Sequence, residues 1–238
     1  MSPAQRPAAT VPKWILALLA ASLVAQIGWK AQARPGYPGA EDLPMPPRPG
    51  ALRIAAIGES ETFARVAMLY LQSFDYHGTN ALPYRKLDYT RLIGWLTSIQ
   101  DIDPISESPL FAAARVYAEV SDPQRQRMML EFVFTQFQLD PNRRWPFAAH
   151  AALVAKHRLK DLPLALKYAR GVARLTTSDD IPFWAKQMEI FVLEDMNELE
   201  AARIVLGGLL ASGRIRDPAE QRFLEARLKS IEERVRPR

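Results

Sequence analysis

The chain contains no cysteine. That excludes disulfides, cysteine-ligated zinc, iron–sulfur clusters, c-type haem attachment and a lipobox anchor. Glycine is scarce, 11 in 238 residues, and it avoids most of the helical patterns. No glycine-rich phosphate loop, HExxH or GxSxG occurs. The histidines are His77, His150 and His157. The last two would stand about 10 Å apart along a helix, too far to share one metal. Period-two alternation is confined to a brief stretch around 52–57, so no strand is expected. The bulk of the chain also lacks a charge surplus: residues 51–238 hold 26 Lys and Arg against 24 Asp and Glu. Part of the net charge of +5 therefore sits in the N-terminal tail, and nucleic acid is not an expected partner. No catalytic, cofactor or metal residue can be assigned, and the chain reads as a binding protein rather than an enzyme.

What is present begins with one apolar run. Residues 14–29 read WILALLAASLVAQIGW, with Gln26 the only strongly polar side chain. As a helix this run spans roughly 24 Å, slightly short of a hydrocarbon core of about 30 Å. Lys13 and Lys30 flank it and can snorkel, and a tryptophan stands at each end. Arg6 and Lys13 precede the run, whereas Glu41 and Asp42 follow it, which favours an N-in orientation. The expected organisation is a cytoplasmic terminus (1–13), a single transmembrane signal-anchor (14–30), a Pro-rich linker (31–50) and one folded domain (51–238). The domain would lie on the periplasmic side of an inner membrane. The rival reading is a signal peptide cleaved after Ala33, since Ala31-Gln32-Ala33 fits a small-x-small site. The linker contains RPGYPGAEDLPMPPRPG, which favours extended polyproline II and reads as a spacer.

The domain reads as all-α. Apolar residues recur at i, i+3, i+4 and i+7 from Phe63 through Phe74, and similar stripes follow to Val235. The expected helix starts share one device. Ser108, Asp122 and Asp217 each stand immediately before a proline, while Asp161 and Asp180 stand two before one. The side-chain oxygen caps orphan N–H groups, and proline in the first turn loses no hydrogen bond. The most regular part is 145–180, an Ala-rich pair of helices. Ala165, Ala169 and Ala173 share one face of the second helix, opposite Ala148, Ala149, Ala151, Ala152 and Ala155 on the first. Small faces allow the close crossings that build α-solenoids.

Pro104, Pro141, Pro182 and Pro218 punctuate successive helix pairs at spacings of 37, 41 and 36 residues. The segments KDLPLALKYARGVARL and NELEAARIVLGGLLAS resemble second helices of tetratricopeptide (TPR) repeats, and LFAAARVYAEVSDP resembles a first helix. Ala165, Ala169, Ala201 and Ala202 fall near the expected small positions. The resemblance covers about 84–234 and lies with membrane-tethered bacterial members of that group. It implies an α-solenoid of antiparallel hairpins that binds protein partners on an extended surface, and it leaves the partner unidentified.

Charge is arranged along the solenoid. Residues 141–175 carry eight Lys and Arg against Asp161 alone, and 178–200 carry seven acids against Lys186 alone. Either the two hairpins complement each other internally, or they offer a face with a basic and an acidic half. On the second reading the partner-binding residues are Arg143, Arg144 and Trp145, placed in a loop, together with Arg170 and Arg174. Glu194, Asp195, Glu198 and Glu200 read as a solvated acidic corner. The function expected is a tethered scaffold for a protein partner. The alternatives are a structural accessory subunit of a membrane complex and an envelope enzyme whose site carries no motif.

Overall fold

The computed structural model describes residues 12–32, 43–74, 86–213, 215 and 217–235, and eleven α-helices and no strand occur among them. The expected turn at 77–83, His77, residues 1–11 and the linker stretch 33–42, with Ala33, lie outside the described residues. The chain divides into two compact units. The described part of the first is α1, Lys13–Gln32. Its apolar side chains encircle the axis instead of forming a stripe, and Trp14, Leu19, Val24 and Trp29 are exposed. No helix among the described residues is long and apolar enough to cross a membrane.

The second unit holds α2 (Pro49–Ala55), α3 (Ser60–Ser73), α4 (Tyr89–Ile102), α5 (Ser108–Arg115), α6 (Pro123–Leu139), α7 (Pro141–His157), α8 (Leu162–Leu175), α9 (Phe183–Asp195), α10 (Leu199–Ala211) and α11 (Pro218–Val235). The principal pairings join each helix to the next or the next but one. Its largest core runs from α3 to α9 and includes Tyr117, Phe137, Tyr168 and the alanines of α7 and α8. A smaller core under α9, α10 and α11 centres on Ile190, Leu206, Leu224 and Ile231. The α7–α8 pairing is the most extensive of all. Ala148, Ala151, Ala155, Ala165 and Ala169 are fully buried there, as the small-residue pattern predicts. Gly171 admits the Phe134 ring of α6 against α8, since a Cβ at that position would lie 2.5 Å from it.

Side-chain caps explain four helix starts. Asp122 accepts the backbone N–H of Gln124 (2.9 Å) and Arg125, and Asp217 accepts that of Ala219 (2.9 Å). Asp161 accepts from Leu164 N at 2.9 Å, a bond that, with the Arg127 guanidinium, holds its carboxyl below the usual range. Two expected caps are absent. Ser108 is already inside α5, and Asp180 bonds Ser178 two residues before Pro182, the residue ahead of α9. Asp88 caps α4 without a following proline. The left-handed turns at Asn197 (φ 60°) and Gly213 (φ 65°) close α9 and α10.

Two further expectations change, and the absence of a strand at 52–57 holds. Residues 142–145 are not a loop: α7 begins at Pro141 and carries Pro146 within it. The short alternation at 52–57 is the end of α2 and its turn, with no partner strand among the described residues. Residues 43–47, assigned to the spacer by their prolines, are strapped onto α4. Leu43 is fully buried, Arg91 Nη1 donates to its carbonyl at 2.7 Å, and Trp95 Nε1 donates to the Pro44 carbonyl at 2.9 Å. Gly94 admits the strap, because a Cβ there would meet the Pro46 ring at 2.6 Å.

Candidate functional site

The five residues singled out by charge and aromaticity separate on folding. Arg144 is 4% exposed and sits in the first turn of α7. Its Nη1 donates to the carbonyl (2.8 Å) and the side-chain Oε1 (3.1 Å) of Gln136, and its Nη2 donates to the Pro104 carbonyl at 2.9 Å. The Gln136 carbonyl is one of the orphan acceptors at the end of α6, so Arg144 caps that helix from the side. Burial and then the neighbouring Arg143 lower its pKa from the ordinary arginine value. Arg143 also donates to Pro104, at 2.7 Å, and pairs with Asp140 at 2.9 Å. Trp145 packs edge-on against Trp184 of α9, ring centroids 5.5 Å apart. Arg170 Nε donates to Glu189, a nearly buried acid of α9, at 2.7 Å. Arg174 alone of these arginines is exposed with no ion pair among the described residues.

Two ion pairs join the basic hairpin to the acidic stretch. Besides Arg170–Glu189, Lys156 pairs with Asp195 across α7 and α9. Part of the acidic corner is paired: Glu194 takes a two-pronged contact from Arg227 (2.6 and 3.1 Å) with Arg234 beyond, and Glu200 pairs with Arg203 at the surface. Glu194 is therefore a seam residue between α9 and α11 rather than a solvated one.

Arg174 faces a groove of about 860 Å³. The groove is bounded by the last turn of α8, the α8–α9 connection, the start of α9 and the far end of α10. Ile181, Phe183, Val205 and Leu209 supply apolar lining, with Lys186 and Arg174 as its cations. The connection is pinned from α7: Asn142 Oδ1 accepts the backbone N–H groups of Thr177 (2.8 Å) and Ser178 (3.0 Å), while Asn142 Nδ2 donates to Thr177 Oγ1 at 3.0 Å. Thr176 Oγ1 turns inward to the Val172 carbonyl. One wall is thus preorganised, which limits the ordering cost of binding there.

Glu189 and Asp179 also line the groove, but Glu189 is already matched by Arg170. Among the described residues no group of three or more His, Asp or Glu side chains could hold a metal ion. The arrangement offers cations, hydroxyls and an apolar floor, which suits an extended polypeptide with an acidic side chain. Lys186 and Asn142 escaped sequence reasoning, because each acquires meaning only from contacts with a different hairpin. A lone cation in the acidic stretch 178–200 was the available signal for Lys186.

The chain matches no family model, no curated protein and no solved structure.

Proposed function

We propose that this protein is a membrane-tethered helical-repeat scaffold of tetratricopeptide-like, α-solenoid type, and that it binds a protein partner through the groove bounded by Arg174 and Lys186. The observation that carries this reading is Arg174, exposed and with no ion pair among the described residues, at the edge of a groove whose loop is pinned by Asn142, where the other three candidate arginines are held by intramolecular contacts. The stacking of helices on their next or next-but-one neighbours supports the solenoid. The all-round apolar surface of α1 supports the tether. Its apolar run is short for a bilayer, and flanking Lys13 and local thinning accommodate the mismatch. The orientation is N-in at an inner membrane, with the folded unit in the periplasm; cleavage after Ala33 would release that unit there. An arginine at this site suits a partner carboxylate, since the guanidinium fork pairs bidentately.

The test places a photo-crosslinking residue at Thr177 in the full-length protein in native membranes. Wild type is expected to capture a discrete partner. Arg174→Glu with Lys186→Glu should lose it, and raised salt should weaken capture. Undiminished capture of the same partner by the folded double variant overturns the groove assignment. Release of full-length protein from membranes by alkaline carbonate overturns the tether.

A further inference from the structure

The turn from α2 into α3 holds apolar side chains out in solvent. Ile54 is 80% exposed and Ile57 88%, more than the 79% of Trp29 in α1. Ile57 also has φ +49°, followed by Gly58 at +87°. A β-branched residue in the left-handed region is a true outlier, and Asn or Gly would serve the turn at lower cost. Neither packing nor backbone geometry asks for isoleucine here.

The corner is not a loose end. Leu52 and Ala56, on the other side of α2, are buried with Ile102 of α4. The strap of residues 43–47 fixes the chain just before α2. Ile54 and Ile57 are therefore presented outward by a seated element. Arg48 and Arg53, both exposed, belong to the same segment, and no acid occurs in residues 43–58. Glu59 follows at the entry to α3, and Glu61 is taken up by Arg65. Between the end of α1 at Gln32 and the strap at Leu43 the extended chain can reach at most roughly 40 Å. Any lipid surface that holds α1 is thus within reach of this corner.

We propose that the α2–α3 corner is a second membrane contact. Ile54 and Ile57 enter the boundary between headgroups and acyl chains, and Arg48 and Arg53 engage lipid phosphates, as interfacial apolar-and-basic elements do. This rests on the tether reading of α1 and extends it: the folded unit has a preferred orientation on the bilayer instead of swinging on its linker.

The lack of native cysteine makes the test direct. Single-cysteine variants Ile57→Cys, Leu19→Cys and Ile204→Cys of the full-length chain are labelled with an environment-sensitive fluorophore. They are reconstituted in phosphatidylcholine vesicles with and without phosphatidylglycerol, and probed with lipid-borne and aqueous quenchers. Leu19 reports the tether, and Ile204, 63% exposed in α10, reports a surface the proposal leaves in water. The expected result is a blue shift and loss of emission to the lipid-borne quencher at positions 19 and 57 but not 204. Adding Arg48→Glu and Arg53→Glu should restore emission at 57 alone, most clearly in the anionic vesicles. A solvent-like label at 57 with the label at 19 in lipid overturns the corner contact and leaves the tether standing. A label at 57 shielded from both quenchers means that protein, such as a second copy, covers the corner, and also overturns it. A solvent-like label at 19 overturns the tether reading and this proposal with it.

Discussion

Gly171 offers a substitution whose sign the tertiary structure reverses. In an isolated helix Gly→Ala is favourable by about 1 kcal/mol, from backbone entropy alone. In α8 the added Cβ would stand 2.5 Å from Phe134 Cε2 and 2.6 Å from Cζ. Carbon atoms rest at about 3.5–4.0 Å, so roughly 1 Å of overlap has to be relieved. The Phe134 ring has little room to give: it is 6% exposed and lies 4.8 Å from the ring of Tyr168 and 5.6 Å from that of Phe137, both fully buried. Overpacking of this kind costs about 1–3 kcal/mol. Set against the propensity gain, Gly171→Ala should be neutral to destabilising, by about 0–2 kcal/mol. Gly208 in α10 is the matched control, since a Cβ there meets nothing within 4 Å. Gly208→Ala should stabilise by about 0.5–1 kcal/mol. In a domain of this size 1 kcal/mol moves the midpoint by about 2–4 °C. Thermal melts followed by circular dichroism should therefore show Gly208→Ala above wild type and Gly171→Ala at or below it. Equal gains in the two variants would refute the reasoning, because Phe134 would then yield freely and the α6–α8 crossing would not be tight.

Two further predictions concern buried polar groups. Arg144→Ala should cost about 2–4 kcal/mol in denaturant unfolding, because a nearly buried, charge-assisted network is lost and the Gln136 carbonyl is orphaned; Arg144→Lys should not restore it, since an ammonium cannot span Gln136 and Pro104 together. His150 has its pKa lowered by burial and then by repulsion from Arg115, against a raising contribution from a backbone bond to Ala114. Glu119 lies 4.0 Å from His150 Nε2 but already pairs with Arg158. A folded pKa below the unfolded one means stability is present above about pH 6.5 and is lost as pH falls through the folded value. Melting midpoints of His150→Gln should accordingly fall less than those of wild type between neutral and mildly acidic pH; parallel curves would show that His150 does not titrate differently on folding.

Most of the helical content was legible from local rules, and so was the Ala-lined α7–α8 pair. Period and capping act within a few residues, and Asp122, Asp161 and Asp217 cap as their position before proline implies. Local rules failed where contact from afar substitutes for them. The proline-rich residues 43–47 read as spacer because no nearby residue reveals that Arg91 and Trp95 will bond their carbonyls, some fifty residues on. Arg143, Arg144 and Trp145 read as a loop, yet they lie in the first turns of α7. The candidate site shows the same division. Composition identified a basic hairpin beside an acidic segment, since net charge is additive along a chain. Which of those charges face each other depends on the stacking of α7, α8 and α9. That stacking matched Arg170 with Glu189 and Lys156 with Asp195, buried Arg144, and left Arg174 beside Lys186 at an open groove. A sequence lists its ionic groups without their distances, and pairing energy falls off with distance, so which cations find an acid belongs to the tertiary structure.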